Sequence, residues 1–211
     1  MIVKVCGLRD PDNIRAVERL PVDLCGFIFY PRSPRCVPDD EFHAAAVRSC
    51  RRPAVGVFVN ASPAEMLRTA ERFGLEWLQL HGDESPEACG ELRQRGFRII
   101  KAIRVASAGD LAAARAYEDC ADYLLFDTRC DGYGGSGRRF DWSVLDAYAG
   151  RVPFLLSGGI NPYSIKAIRE FHHPKLAGID INSRFETAPG QKDVARIGKF
   201  LQAIRTGETA G

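Results

Sequence analysis

Cys6 and Asp127 each combine a reactive side chain with a place in the sequence from which it could act. Cys6, in Lys4-Val5-Cys6-Gly7-Leu8, closes a short apolar run and is followed by glycine. At an ordinary pKa of about 8.5 such a thiol is only a few per cent thiolate near neutrality, enough for a weak base. A helix dipole or a nearby cation would strengthen it, whereas a phosphate would not; the plain alternative is a buried structural thiol. Asp127 closes Leu124-Leu125-Phe126-Asp127-Thr128 in the same manner. A carboxyl so placed serves as a general acid where burial favours its protonated form, and as a turn or helix cap otherwise.

Other features suit an anionic ligand. Tyr30-Pro31-Arg32-Ser33-Pro34-Arg35 uses prolines to hold a guanidinium in place, and arginine pairs bidentately with a carboxylate. Either arginine could equally be a solvated surface residue. Ser157-Gly158-Gly159-Ile160-Asn161 carries glycines that let backbone N–H groups approach an anion, and Asp180-Ile181-Asn182-Ser183 follows the next apolar run. Gly134-Gly135-Ser136-Gly137 lacks the spacing of a dinucleotide or phosphate-loop fingerprint and reads as an active-site loop. In Gln79-Leu80-His81-Gly82, His81 either lines a site or is structural. His172-His173 follows a helical stretch, at the opposite end, and reads as inert.

These residues need elements that bring them together. Short apolar runs at 3–6, 24–29, 55–59, 77–80, 99–103, 123–126, 153–156 and 178–181 alternate with stretches of helical period. Asp10-Pro11, Ser62-Pro63 and Ser85-Pro86 supply a capping side chain and a proline for the first helical position. Ile14, Val17 and Leu20 mark one apolar face, and Val194, Ile197, Leu201 and Ile204 mark that of a last helix beginning near Lys192. Alternation of this kind is the βαβ signature, and continuous apolar runs are expected of strands buried on both faces. The fold class predicted is α/β, a single (β/α)8 TIM barrel over 1–205 with a polar tail at 206–211. An open doubly wound sheet is the alternative; the strand count and the late position of the anion-binding loops favour closure. In such a barrel the catalytic groups sit at the C-terminal strand ends, with phosphate commonly bound by the last two βα loops. The longest irregular pieces, 30–40 and 128–139, fall after the second and sixth strands.

Composition excludes several classes. The chain has 211 residues, with 45% hydrophobic and 27% charged, as in ordinary globular proteins. The net charge of +2 is spread without blocks, which argues against a nucleic-acid surface. No apolar run approaches the roughly 20 residues that span a bilayer, and the N-terminus enters a strand pattern with no signal peptide, so a cytoplasmic location is expected. The 7 cysteines show no CxxC pair and no metal-ligand spacing, and read as free thiols in a reducing compartment.

Taken with Val57-Phe58-Val59-Asn60, Phe140-Asp141-Trp142 and Gly178-Ile179 before Asp180, the motifs above fall in one order along the chain, and from end to end it resembles the phosphoribosylanthranilate isomerase family. The resemblance implies an Amadori rearrangement of a phosphoribosylated anthranilate, without metal or cofactor, on a small-molecule substrate. It implies that Asp127 is the general acid, Cys6 the general base and Arg35 the partner of the anthranilate carboxylate. Gly158, Gly159 and Ser183 match phosphate-loop positions, and His81, Asp180 and Asn182 lie at mouth positions. It leaves open whether the protein is a monomer or a homodimer. One departure is Arg184, where the family usually has glycine; arginine takes positive φ less readily. The rivals are a histidine-pathway isomerase performing the same rearrangement, expected to use paired aspartates, a bifunctional isomerase, and a phosphate-binding barrel that has lost catalysis.

Overall fold

The computed structural model describes residues 1–128 and 141–206. Cys130, the glycine-rich segment at 134–137, Phe140 and most of the predicted tail lie outside the described residues. The strands β1 (Ile2–Leu8), β2 (Leu24–Ile28), β3 (Ala54–Phe58), β4 (Trp77–Leu80), β5 (Arg98–Val105), β6 (Tyr123–Thr128), β7 (Phe154–Leu156) and β8 (Leu176–Ile181) pair in parallel in that order, and β8 pairs with β1 to close the barrel. The predicted (β/α)8 architecture is therefore present. Helices α1 (Pro11–Val17), α2 (Glu41–Arg48), α3 (Pro63–Phe73), α4 (Pro86–Gln94), α5 (Ile165–Glu170) and α6 (Val194–Thr206) lie around it. Among the described residues, the connections after β5 and β6 carry 3-10 turns, Ala108–Tyr117 and Trp142–Ala147.

Local chemistry sets the helix starts as the sequence implies. Asp10, Ser62 and Ser85 each accept from the backbone N–H three residues on, and Glu65 completes a capping box with Ser62. The end of the chain differs from expectation. Lys192 belongs to a hairpin, β9 (Glu186–Ala188) with β10 (Gln191–Lys192), and its N–H and C=O bond the Asn13 side chain on α1. The last helix therefore starts at Val194.

The core is in two parts. One lies between strands and helices and includes Phe58, Phe126, Phe154 and Phe200. The other fills the barrel interior with Leu24, Val55, Trp77, Ile100, Leu125 and Leu155. Side chains alternate along a strand, so the residues two positions beyond this floor point into the barrel at its C-terminal mouth: Val57, Gln79, Asp127 and Ser157. On the first strand the same alternation turns Lys4 and Cys6 inward. Among the described residues no helix is long and apolar enough to cross a membrane.

Candidate active site at the C-terminal mouth of the barrel

A cavity of ≈ 480 Å³ opens at this end, and Cys6, Arg35, His81, Asp127, Gly158, Gly159, Asp180, Asn182 and Ser183 all line it. Its volume is in the range of small-molecule sites. These nine candidates thus meet in one place, while the segment at 134–137, read as an active-site loop, lies outside the described residues.

Cys6 does not end its strand, as the sequence suggested. The strand runs on to Leu8 through an irregularity in the β1–β2 register after Val5. Gly7 makes the irregularity with φ +77°, and a Cβ there would stand 2.6 Å from Asn182 Oδ1. Cys6 is buried beneath the mouth, and burial pushes its thiol above the ordinary value of 9.0 against the opposing charge of Lys4.

Asp127 lies on β6, separated from β1 around the ring by β7 and β8, so Cys6 and Asp127 reach the cavity from different walls. Asp127 Oδ2 is 3.2 Å from His81 Nε2. His81 is fixed from behind, since its Nδ1 is 2.7 Å from Gln79 Nε2. The loop that carries His81 is held by Glu84, which accepts from Asn60 N and Gly82 N and pairs with buried Lys101 at 2.8 Å.

Arg35 is committed in a way the sequence did not reveal. Its Nε and Nη2 donate to Glu186 at 2.9 and 2.7 Å. Glu186 also accepts from Lys192 Nζ at 2.6 Å, and Lys192 Nζ donates to Asn182 Oδ1 at 2.6 Å. Burial alone would raise the Glu186 carboxyl; Arg35 and Lys192 outweigh it and hold it below 4.5. Lys192 is held below 10.5, chiefly by its burial.

The loop after β7 turns through Gly158 (φ 80°) and Gly159 (φ 73°), a left-handed pair open to glycine and costly to other residues. Opposite it, Ser183 begins a 3-10 turn, Ser183–Phe185, so backbone from the last two βα loops borders one side of the cavity. Arg184 lies in that turn with its side chain exposed. Asn60 is the only non-glycine among the described residues with positive φ, so Arg184 avoids the strain expected where the family has glycine.

Residues 3–203 match the family described as N-(5′-phosphoribosyl)anthranilate (PRA) isomerase. This chain belongs to that family. It is 52% identical over 206 residues to the N-(5′-phosphoribosyl)anthranilate isomerase of Parabacteroides distasonis, covering 97% of this chain and 93% of the relative. The enzyme of the same name from Phocaeicola vulgatus is 48% identical, covering 97% and 98%. Among solved structures, phosphoribosyl anthranilate isomerase from Thermotoga maritima superposes with a TM-score of 0.82 at 31% identity, covering 97% of this chain and 99% of that one. Another isomerase of the family, solved in complex with reduced 1-(o-carboxyphenylamino)-1-deoxyribulose 5-phosphate, superposes with a TM-score of 0.79 at 29% identity over 97% and 99%. Membership extends over nearly all of the chain and weighs against the histidine-pathway rival.

Within this isomerase the residues beneath the candidates were not singled out from sequence. Lys4, Gln79 and Lys192 are fully buried polar side chains, and Glu186 is 4% exposed at its side chain. Period-two alternation would have found Lys4 below Cys6 and Gln79 below His81. No local signal marks Glu186 or Lys192, which reach the site by way of the hairpin. The histidines at 172 and 173 stay remote, and His173 is bonded to Tyr148 O and Lys175 N.

Proposed function

We propose that this chain isomerises N-(5-phosphoribosyl)anthranilate to 1-(2-carboxyphenylamino)-1-deoxyribulose 5-phosphate, with Asp127 as general acid and Cys6 as general base. The observation that carries the assignment is that both side chains reach one cavity from different walls. An aldose-to-ketose shift through a Schiff base needs an acid at the ring oxygen and a base at C2 of the same sugar.

Asp127 gives its proton to the furanose oxygen as the C1–O bond breaks, and the nitrogen lone pair forms the C=N bond. The Cys6 thiolate then takes the C2 proton, the C–H electrons move towards nitrogen, and an enolamine forms. Protonation at C1 and loss of the C2 hydroxyl proton give the ketone.

Arg35 receives the anthranilate carboxylate. Gly158, Gly159 and Ser183 receive the phosphate, which holds the sugar between acid and base. His81 supports Asp127, Asp180 supports the base side, and Asn182 links the phosphate side to the Lys192 network. No step requires a metal or a cofactor. The reading includes a cytoplasmic protein acting as monomer or homodimer on a small molecule, without nucleic-acid or membrane partners; the small net charge of +2, interspersed along the sequence, supports it.

A steady-state assay tests it. The substrate is generated in situ and its fluorescence loss is followed for the wild type, Cys6→Ser and Asp127→Asn. Turnover that falls by about two orders of magnitude or more in each variant is expected. A folded wild-type protein without turnover would sink the assignment.

A further inference from the structure

Cys6 as a base poses a problem of charge. It is buried, and burial disfavours a thiolate. Something in the wall must stabilise that charge.

The wall contains an ammonium in the right place. Lys4 points into the barrel two residues below Cys6 on β1, with none of its side chain exposed. Its Nζ donates to Asp180 Oδ1 at 2.9 Å, its register neighbour on β8. The space between Lys4 and Cys6 is kept open by Gly26 on β2. A Cβ at that position would stand 3.0 Å from Cys6 Sγ and 3.1 Å from Lys4 Nζ, so both atoms border the same small volume. Two strands and a glycine thus place a cation against the thiol.

A buried lysine–aspartate pair is a poor device for closing a barrel. The desolvation of both ions offsets most of their attraction, and apolar residues of similar volume stabilise as well or better. Its position against Cys6 gives it a different use. We propose that Lys4 is the positioning residue that makes Cys6 a base, its ammonium holding the thiolate while Asp180 holds the ammonium.

This inference rests on Cys6 being the base. The other charged groups facing Cys6 are Asp180 on β8 and Lys192 on β10. Burial has the largest influence on the thiol and raises it; Lys4 is next and lowers it, ahead of the opposing Asp180 and the assisting Lys192. Lys192 is the weaker candidate, because its Nζ already serves Glu186 and Asn182. Burial works against the Lys4 charge, yet Asp180 and Cys6 together hold its pKa above 10.5. The cation is therefore present at any pH at which the enzyme would work.

The test reads the ionisation of Cys6 itself, apart from turnover. The full-length protein is treated with iodoacetamide over a range of pH, and alkylation at Cys6 is followed by peptide mass spectrometry. In Lys4→Met the midpoint should move up by about one pH unit or more, a tenfold loss of thiolate at fixed pH. At a fixed neutral pH, kcat/KM should fall by a similar factor. Lys4→Arg keeps a cation and should restore much of the wild-type midpoint. If Lys4→Met does not fold, the paired variant Lys4→Met/Asp180→Asn leaves no buried ion without its partner; it also loses the opposing Asp180 charge, so its upward shift should be smaller but still present. An unmoved Cys6 midpoint in a folded variant lacking Lys4 would overturn the proposal. Full turnover by Cys6→Ser would instead overturn the base assignment, whatever the alkylation midpoints.

Discussion

The Arg35 guanidinium is held edge-on by the Glu186 carboxylate, with Nε at 2.9 Å and Nη2 at 2.7 Å. The pair fixes the orientation of Arg35, and among the described residues no hydrogen bond engages Nη1, which in the proposed reading meets the ligand. A carboxylate on the substrate then meets a pre-ordered donor and loses less entropy than one that must order a mobile arginine. Arg35→Ala should raise KM by about tenfold or more, the worth of a charge-assisted hydrogen bond, and change kcat less. Steady-state kinetics reads the split. An unchanged KM would remove the carboxylate role.

Glu186 also links the site to stability. Its folded pKa lies below the ordinary 4.5 because Arg35 and Lys192 outweigh its burial. For a carboxyl with a depressed folded pKa, the stabilisation is present above the unfolded pKa and lost as pH falls through the folded one. Glu186→Gln should therefore lower Tm at pH 7, and the gap from wild type should narrow as pH falls below about 4.5. Thermal melts at both pH values check this. A gap that stays constant across that range would show that the carboxylate charge contributes nothing.

Cys6 gives the opposite sign. Burial raises its thiol above 9.0, with Lys4 opposing. Alkylation of Cys6 needs only the thiolate, so its rate should climb with pH through the neutral range, tenfold per pH unit, and show no plateau below about pH 9. The linked stability contribution is present below the unfolded pKa and lost as pH rises through the folded one. An alkylation profile that levels off near pH 7 would mean that burial does not hold the Cys6 thiol above its ordinary range.

Much of this was legible in the sequence because strand alternation and proline-led helix starts are local. Asp10-Pro11 and Ser62-Pro63 state where helices begin, and the apolar runs state the strands to within a few residues. The candidates at strand ends met in one cavity for the same reason: in a closed parallel barrel all strand ends share one face. What was not legible depends on contacts far apart in sequence. Arg35 and Glu186 come together only through the hairpin after β8, whose last residue, Lys192, the sequence read as the start of a helix. Lys4 looked like part of a motif, and only the β1–β8 register shows its carboxylate partner. The strand end at Cys6 was misplaced because Gly7 continues the strand through an irregularity that apolar patterning does not reveal.

The Gln79–His81–Asp127 line yields a last prediction. Gln79 Nε2 donates to His81 Nδ1 at 2.7 Å, which leaves the ring proton on Nε2, facing Asp127 Oδ2 at 3.2 Å. Among the described residues Gln79 Oε1 has no hydrogen-bond partner, so the side chain is held by its other end. In the proposed mechanism this arrangement orients Asp127. His81→Ala should lower kcat by about tenfold, within the range of a general acid losing its alignment, while KM stays near wild type. Gln79→Leu should lower kcat by less, since the imidazole remains but its tautomer is no longer set. A rise in KM with kcat intact for His81→Ala would place His81 on the substrate instead of on the acid.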